Sequence, residues 1–157
     1  MTIAIVVVLI GVSGVLLFRQ QLVTNASPRP DNLGVTNGEL APCPSSPNCV
    51  SSQAPADDNH HIEPIMFEGD AADAYQTLLS IVQGLPRTEV IETTENEYIY
   101  AEARSEFWSF IDDLEIYIDS DNNLIHMRSA ARLGQGDMGV NRQRTETIRQ
   151  QYTESAP

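Results

Sequence analysis

Four charged residues, Arg104, Asp113, Glu115 and Arg128, have the types and spacing for a polar site built on a β-sheet. Asp113 and Glu115 stand two apart in FIDDLEIYID, and the two-residue period of a strand sends both to one face while Leu114, Ile116 and Ile118 take the other. Centring a hairpin turn on Asp121 and Asn122 brings Glu115 opposite Arg128 and Tyr117 opposite His126. Glu102 and Arg104 reach the same outward face from the preceding strand, beside Tyr98 and Tyr100. Such a cluster suits several roles. Asp113 or Glu115 serves as a general base while Arg104 or Arg128 holds an anionic group, a hydrolase-like chemistry. Alternatively, the same groups bind a polar ligand without reacting. In the plainest case they are cross-strand ion pairs on a solvated sheet, each worth under ~1 kcal/mol. Asp112 and Asp113 point to opposite faces and are poorly placed to share a proton.

A second group, Arg132, Asp137, Asn141 and Arg142, falls at a strand end, a glycine-containing turn over residues 133–139 and a helix start. Loops held by rigid elements are where function concentrates, and backbone amides at a helix start add donors for an anion or carboxylate. The competing reading makes Arg132 and Arg142 architectural, tying the turn to Asp112 or Asp137. Familiar catalytic signatures are missing: the chain has no G-x-S-x-G, H-E-x-x-H, P-loop or dinucleotide fingerprint. His60 and His61 lack metal-ligand spacing, so neither a metal nor another cofactor is expected. Cys43 and Cys49, the only cysteines, bracket CPSSPNC, where two prolines favour a compact turn. A disulfide is favoured over two reduced thiols, and a reactive redox pair would more usually sit at a helix N-terminus.

The elements that must position these residues follow from periodicity. Residues 62–67 (IEPIMF) suit an edge strand, because Pro64 lacks the N–H a central ladder needs. Residues 70–85 are the clearest helix, capped by Asp70, with Ala71, Ala74, Tyr75, Leu78, Leu79 and Val82 at helical spacing before Gly84 and Pro86. Strands are predicted over 88–93, 98–104, 110–119 and 124–129, and a polar helix over 140–152. The order βαββββα implies an α+β domain: one antiparallel sheet of about five strands, both helices on one face, the other face open.

A chain of 157 residues with a formal net charge of −13 is large enough for one core. Every cation is Arg; the span 57–121 holds 17 acids against Arg87 and Arg104, whereas 128–149 holds five Arg against Asp137 and Glu146. An acidic body repels nucleic acid and anionic lipid at long range, so no nucleic-acid partner is expected. Residues 2–18 (TIAIVVVLIGVSGVLLF) carry no charge and read as a short membrane-spanning helix, favoured over a cleaved signal peptide ending near Ala26. Arg19 and Arg29 follow this segment, and by charge alone they favour a cytoplasmic domain, whereas the cysteine pair favours export. The expected organisation is an anchor over 1–23, a Pro/Ser/Asn-rich tether with the Cys loop over 24–59, the domain over 60–152 and a tail over 153–157.

The stretches CPSSPNCVSS, LPRTEVIE, EARS, FIDDLEI and RSAARLGQGDMGVNRQR, in this order, resemble domain-of-unknown-function family 1499. The resemblance spans about residues 42–149 and implies that Asn48, Arg104, Asp112, Asp113, Glu115, Arg128, Arg132, Asp137, Asn141 and Arg142 match the family pattern. Ala131 stands where the family usually has Ser, so a hydroxyl is not essential there. The family supplies no reaction, substrate or cofactor; its small bacterial members often carry an N-terminal hydrophobic segment, which favours an exported, single-pass protein. The expectation is a non-catalytic envelope module binding a small polar or anionic ligand or a protein partner, with the hydrolase-like enzyme as the alternative.

Overall fold

The computed structural model describes residues 26–56 and 58–155 together with 14, 15, 18 and 21. The anchor predicted over 1–23 therefore falls largely outside the described residues. Among those described, no helix is long and apolar enough to cross a membrane.

Six strands and two helices follow one another as β1 (Cys49–Ser51), β2 (Ile65–Met66), α1 (Ala71–Gly84), β3 (Thr88–Thr94), β4 (Tyr98–Arg104), β5 (Ile111–Asp119), β6 (Leu124–Ala131) and α2 (Val140–Ser155). They build one antiparallel sheet in the order β1-β6-β5-β4-β3, with β2 on the same edge of β6 as β1. The α+β class and single antiparallel sheet agree with the sequence reading. The hairpin register agrees as well: Glu115 pairs with Arg128 and Tyr117 with His126. Asn96 and Asn123 supply the left-handed backbone of the β3–β4 and β5–β6 turns, a conformation Asn tolerates better than most side chains. A bulge between Val90 and Glu92 interrupts β3 on the far edge.

Asp70 caps α1 by accepting the Ala72 N–H at 2.8 Å. Leu78 and Val82 of α1 join Ile148 and Tyr152 of α2 in one apolar core with Ile99, Leu114, Ile116, Ile125 and Met127. Alternation along the strands places all these sheet residues on the same face, so both helices cover one side. Burying a side chain such as Leu78 or Ile116 contributes about 1.5–3 kcal/mol, and this core is the main store of stability.

Two expectations are corrected. First, the stretch 24–59 is not a bare tether. Cys49–Ser51 pairs with Ser129 and its neighbours on β6, and Leu40, Asn48, Ser51 and Ser52 are buried. Only three residues are extended there, too few for alternation to register as a period. Likewise, residues 153–155, expected in the tail, complete α2. Second, the other sheet face is not open. Residues 27–40 lie across it, with Leu33, Val35 and Leu40 packed on Tyr98, Tyr100, Ile91 and Tyr117. Within that cover Thr36 and Glu39 exchange backbone hydrogen bonds about Asn37 and Gly38, both at positive φ, the backbone of a two-residue hairpin turn.

Cys43 and Cys49 form the expected disulfide. Because Cys49 opens β1, the bridge fastens the Cys loop to the sheet edge. Loop-closure entropy values such a cross-link at about 2.4 kcal/mol, so Cys43→Ser with Cys49→Ser lowers unfolding stability by about that amount in urea titration; an unchanged midpoint would show that the bridge does not constrain the unfolded chain.

Candidate functional site

The candidate residues separate into two groups on opposite faces of the sheet. Beneath the cover, Arg132 leaves the end of β6 and turns back over β5 and β4. Its Nε donates to both carboxylate oxygens of Asp113 (3.0 Å each), its Nη2 to Asp113 Oδ1 (2.7 Å), Glu102 Oε1 (2.5 Å) and Tyr100 Oη (2.8 Å), and its Nη1 to the Ser27 carbonyl (3.1 Å). The Tyr100 hydroxyl donates to Asp113 Oδ1 at 2.7 Å. Arg29 stacks 5.1 Å above the Tyr100 ring, and Arg104 Nη2 reaches Glu102 Oε2 at 3.3 Å.

A few residues along the same face, Arg128 Nη1 donates to Glu115 Oε2 at 2.9 Å, while Glu115 Oε1 accepts from Tyr98 Oη and the Gly34 N–H, both at 2.8 Å. Glu115 is wholly inaccessible and the Arg128 side chain is 7% exposed. Electrostatics follow this packing. Burial works against the charge of Arg132, but the hydrogen bonds to Asp113 and Glu102 outweigh it and raise its pKa. Glu102 is held below the ordinary carboxylate range: burial opposes its charge, and Arg132 first, then Arg104 and Arg29, more than offset that. Burial and then Glu115 raise the pKa of Tyr98; burial and then Asp113 raise that of Tyr100, so both stay protonated donors.

The second group sits on the helix face. Asp137 Oδ2 accepts the Asn141 N–H at 2.8 Å and its Oδ1 the Gly139 N–H at 3.0 Å. Burial alone would raise its pKa, and these backbone bonds hold it low. The amides proposed for an exogenous anion at this helix start are thus taken by the chain's own carboxylate. Asn141 Nδ2 donates to the Asn48 carbonyl, and Arg142 donates to the carbonyls of His61 (2.9 Å) and Asn59 (2.7 Å). The partner of Asp112 is Arg144, at 2.7 Å, rather than Arg132 or Arg142. Burial pushes Asp112 above its ordinary pKa despite that contact. Arg144 was missed in the sequence, although its spacing of three from Asn141 puts both on one helix face, where Arg144 Nη1 meets Asn141 Oδ1 and Ser129 Oγ.

A buried pair absent from the sequence reading lies between β1 and β6. Ser52 Oγ is 3.1 Å from His126 Nδ1 and accepts the Met127 N–H, while the His126 ring stacks on Tyr117. Among the described residues no group of His, Cys, Asp and Glu could hold a metal ion.

One groove open to solvent, of about 410 Å³, lies between the end of α1, the β3–β4 edge and the start of α2. Arg87, Thr88, Arg104, Gln143, Arg144 and Thr147 are among its lining residues. Arg87 has φ 54°, a left-handed backbone unusual for a long side chain. Among the described residues its guanidinium makes only the Nε contact with the Arg104 carbonyl, at 3.3 Å.

Removing Arg132 would leave Asp113 and Glu102 charged and buried without their main partner. Arg132→Ala therefore lowers unfolding stability by about 3–5 kcal/mol, read as a large fall in Tm; a Tm within a degree of the parent would return Arg132 to the list of ligand-binding residues. His126 gives the pH dependence. Burial holds its imidazole below the ordinary pKa of 6.5, against a smaller opposing pull from Asp119, so the unfolded chain binds the proton more readily. Its contribution is intact above pH 6.5 and is lost as pH falls below that value. His126→Asn, which keeps an acceptor beside Ser52, flattens the stability profile between neutral and mildly acid pH; an unaltered profile would assign the dependence elsewhere.

No curated protein and no solved structure gives a significant match. A family model described as a protein of unknown function (DUF1499) matches residues 39–152. That span takes in all six strands, α1, α2 as far as Tyr152 and all the charged pairs described above apart from the Arg29 contact, and the chain belongs to the DUF1499 family.

Proposed function

We propose that this protein is a membrane-anchored, exported binding module without catalytic activity that takes a small anionic or polar ligand in the groove between α1, the β3–β4 edge and α2. The observation that carries the non-catalytic part is the saturation of the carboxylates. Asp113 and Glu115, the candidate bases, are buried, spent on arginine and tyrosine partners and covered by residues 27–40. A general base must reach a substrate proton within hydrogen-bonding distance, and these two face the chain's own donors instead. This weighs against the hydrolase-like alternative.

The ligand class is supported by Arg87, whose guanidinium is largely unspent and whose backbone is held in a sparsely populated conformation at the groove. Planar, bidentate donation to an oxyanion is the role that guanidinium geometry suits best. The amide of Gln143 adds a neutral donor around it, while the hydroxyls of Thr88 and Thr147 donate to the carbonyls of Pro86 and Gln143 and offer only their lone pairs. Export is supported by the Cys43–Cys49 disulfide, which persists in an oxidising compartment, and anchoring by the uncharged stretch over residues 2–18.

The test is a thermal-shift titration of the full chain with inorganic phosphate at constant ionic strength. Binding to the native state raises Tm with phosphate concentration, and Arg87→Ala, at an exposed position, removes the shift while leaving the phosphate-free Tm nearly unchanged. Equal shifts with chloride, or a shift that survives Arg87→Ala, would reject the groove as an anion site. Retention of the full chain in membranes after an alkaline wash checks the anchor separately.

A further inference from the structure

We infer that an apolar tip made by the loops 105–110 and 132–139 docks into the headgroup region of the bilayer, so that the domain rests on the membrane surface instead of swinging free on its anchor. This goes beyond ligand binding and rests on the anchoring proposed above.

From residue 26 onward, the described residues expose six large apolar side chains, and five of them, Phe107, Trp108, Phe110, Met138 and Val140, belong to two neighbouring loops and the residue that follows them; Met66 is the sixth. The loops meet at one end of the sheet, where Arg104 pairs with Ile111 and the Arg132 N–H donates to the Ile111 carbonyl. Phe107 is 73% exposed, Trp108 61% and Met138 fully. Ser109 and Met138 both have left-handed backbone, with φ of 55° and 56°, a costly conformation for residues other than glycine. Exposed apolar side chains gathered at one end of a domain, and not scattered singly over it, point to an interaction surface.

The path of the chain identifies the occupant. The cover runs from Ser27, held by Arg132, to Gly34 at Glu115 and Gly38 beside Tyr117. Followed towards the N-terminus, it leaves the domain at the Arg132 end, which is the end carrying the aromatic loops. Only residues 19–26 separate this exit from the uncharged stretch 2–18, and eight residues reach at most about 29 Å when fully extended. An anchored domain thus presents this end to the bilayer at high effective concentration. Trp and Phe are side chains that seat at the membrane interface. Since the chain carries a net charge of −13, attraction to anionic headgroups is not the source of binding, and zwitterionic lipid suffices.

Trp108 is the only tryptophan, which makes the test direct. The full chain is reconstituted into phosphatidylcholine vesicles, with and without acyl-chain bromination, and Trp108 emission is compared. The expected result is a blue-shifted maximum and roughly twofold quenching by the brominated lipid, as for an indole at the interface. Phe107→Ser with Met138→Ser, both at exposed positions, should relieve the quenching and shift the emission back to the red. Emission typical of water and indifferent to bromination, with the protein still in the vesicle fraction, would overturn the docking and leave the anchor standing. A blue-shifted maximum without quenching would overturn it in favour of a protein contact. Loss of the chain from the vesicles on alkaline wash would overturn both docking and anchoring.

Discussion

The structure turns on one buried guanidinium. Arg132 joins β6 to β5 through Asp113, to β4 through Glu102 and Tyr100, and to the N-terminal cover through the Ser27 carbonyl. A charge taken out of water must find comparable stabilisation inside the protein, and few arrangements of chain bring acceptors to all three guanidinium nitrogens at once. Three strands and a segment about a hundred residues away in sequence are therefore bound to a single geometry.

The sheet consequently has two faces of different physical character. Beneath the helices it is an apolar core, tolerant in detail and strong in aggregate. Beneath residues 27–40 it is a set of charged and phenolic groups whose stability depends on each having its partner. Apolar packing on that side is limited to the small tyrosine cluster with Leu33, Val35 and Leu40. Mutational sensitivity on the polar face reports folding before it reports any ligand, and an activity screen there confounds the two.

Much of this was legible from the amino-acid order. Strand alternation, together with the turn residues Asp121 and Asn122, was enough to set Glu115 against Arg128, and helical spacing with Asp70 located α1. The open face was misjudged because the cover has no period: Leu33, Val35 and Leu40 are too few and unevenly spaced to suggest a buried segment, although Asn37-Gly38 is a hairpin signal. The three-residue β1 was hidden for the same reason, in a stretch dominated by Pro, Ser and Asn. Charge pairing was the least legible feature. Composition says that arginines will meet carboxylates, but the choice of Asp113 for Arg132 and Asp112 for Arg144 depends on which way a strand residue faces.

The two edges of the sheet also differ. On one side β1 and β2 share the length of β6, so that edge is divided and partly occupied by the chain itself. The other edge is β3, whose backbone groups have no further strand to pair with among the described residues. Its bulge between Val90 and Glu92 breaks the regular spacing of donors and acceptors, and Glu89 and Glu92 stand exposed along it. A second copy aligned on β3 would face a mismatched ladder and its own negative charge, which are the devices by which natural sheets resist polymerising through their margins. The acidity of this chain thus acts locally as a guard against self-association of a sheet with one free border.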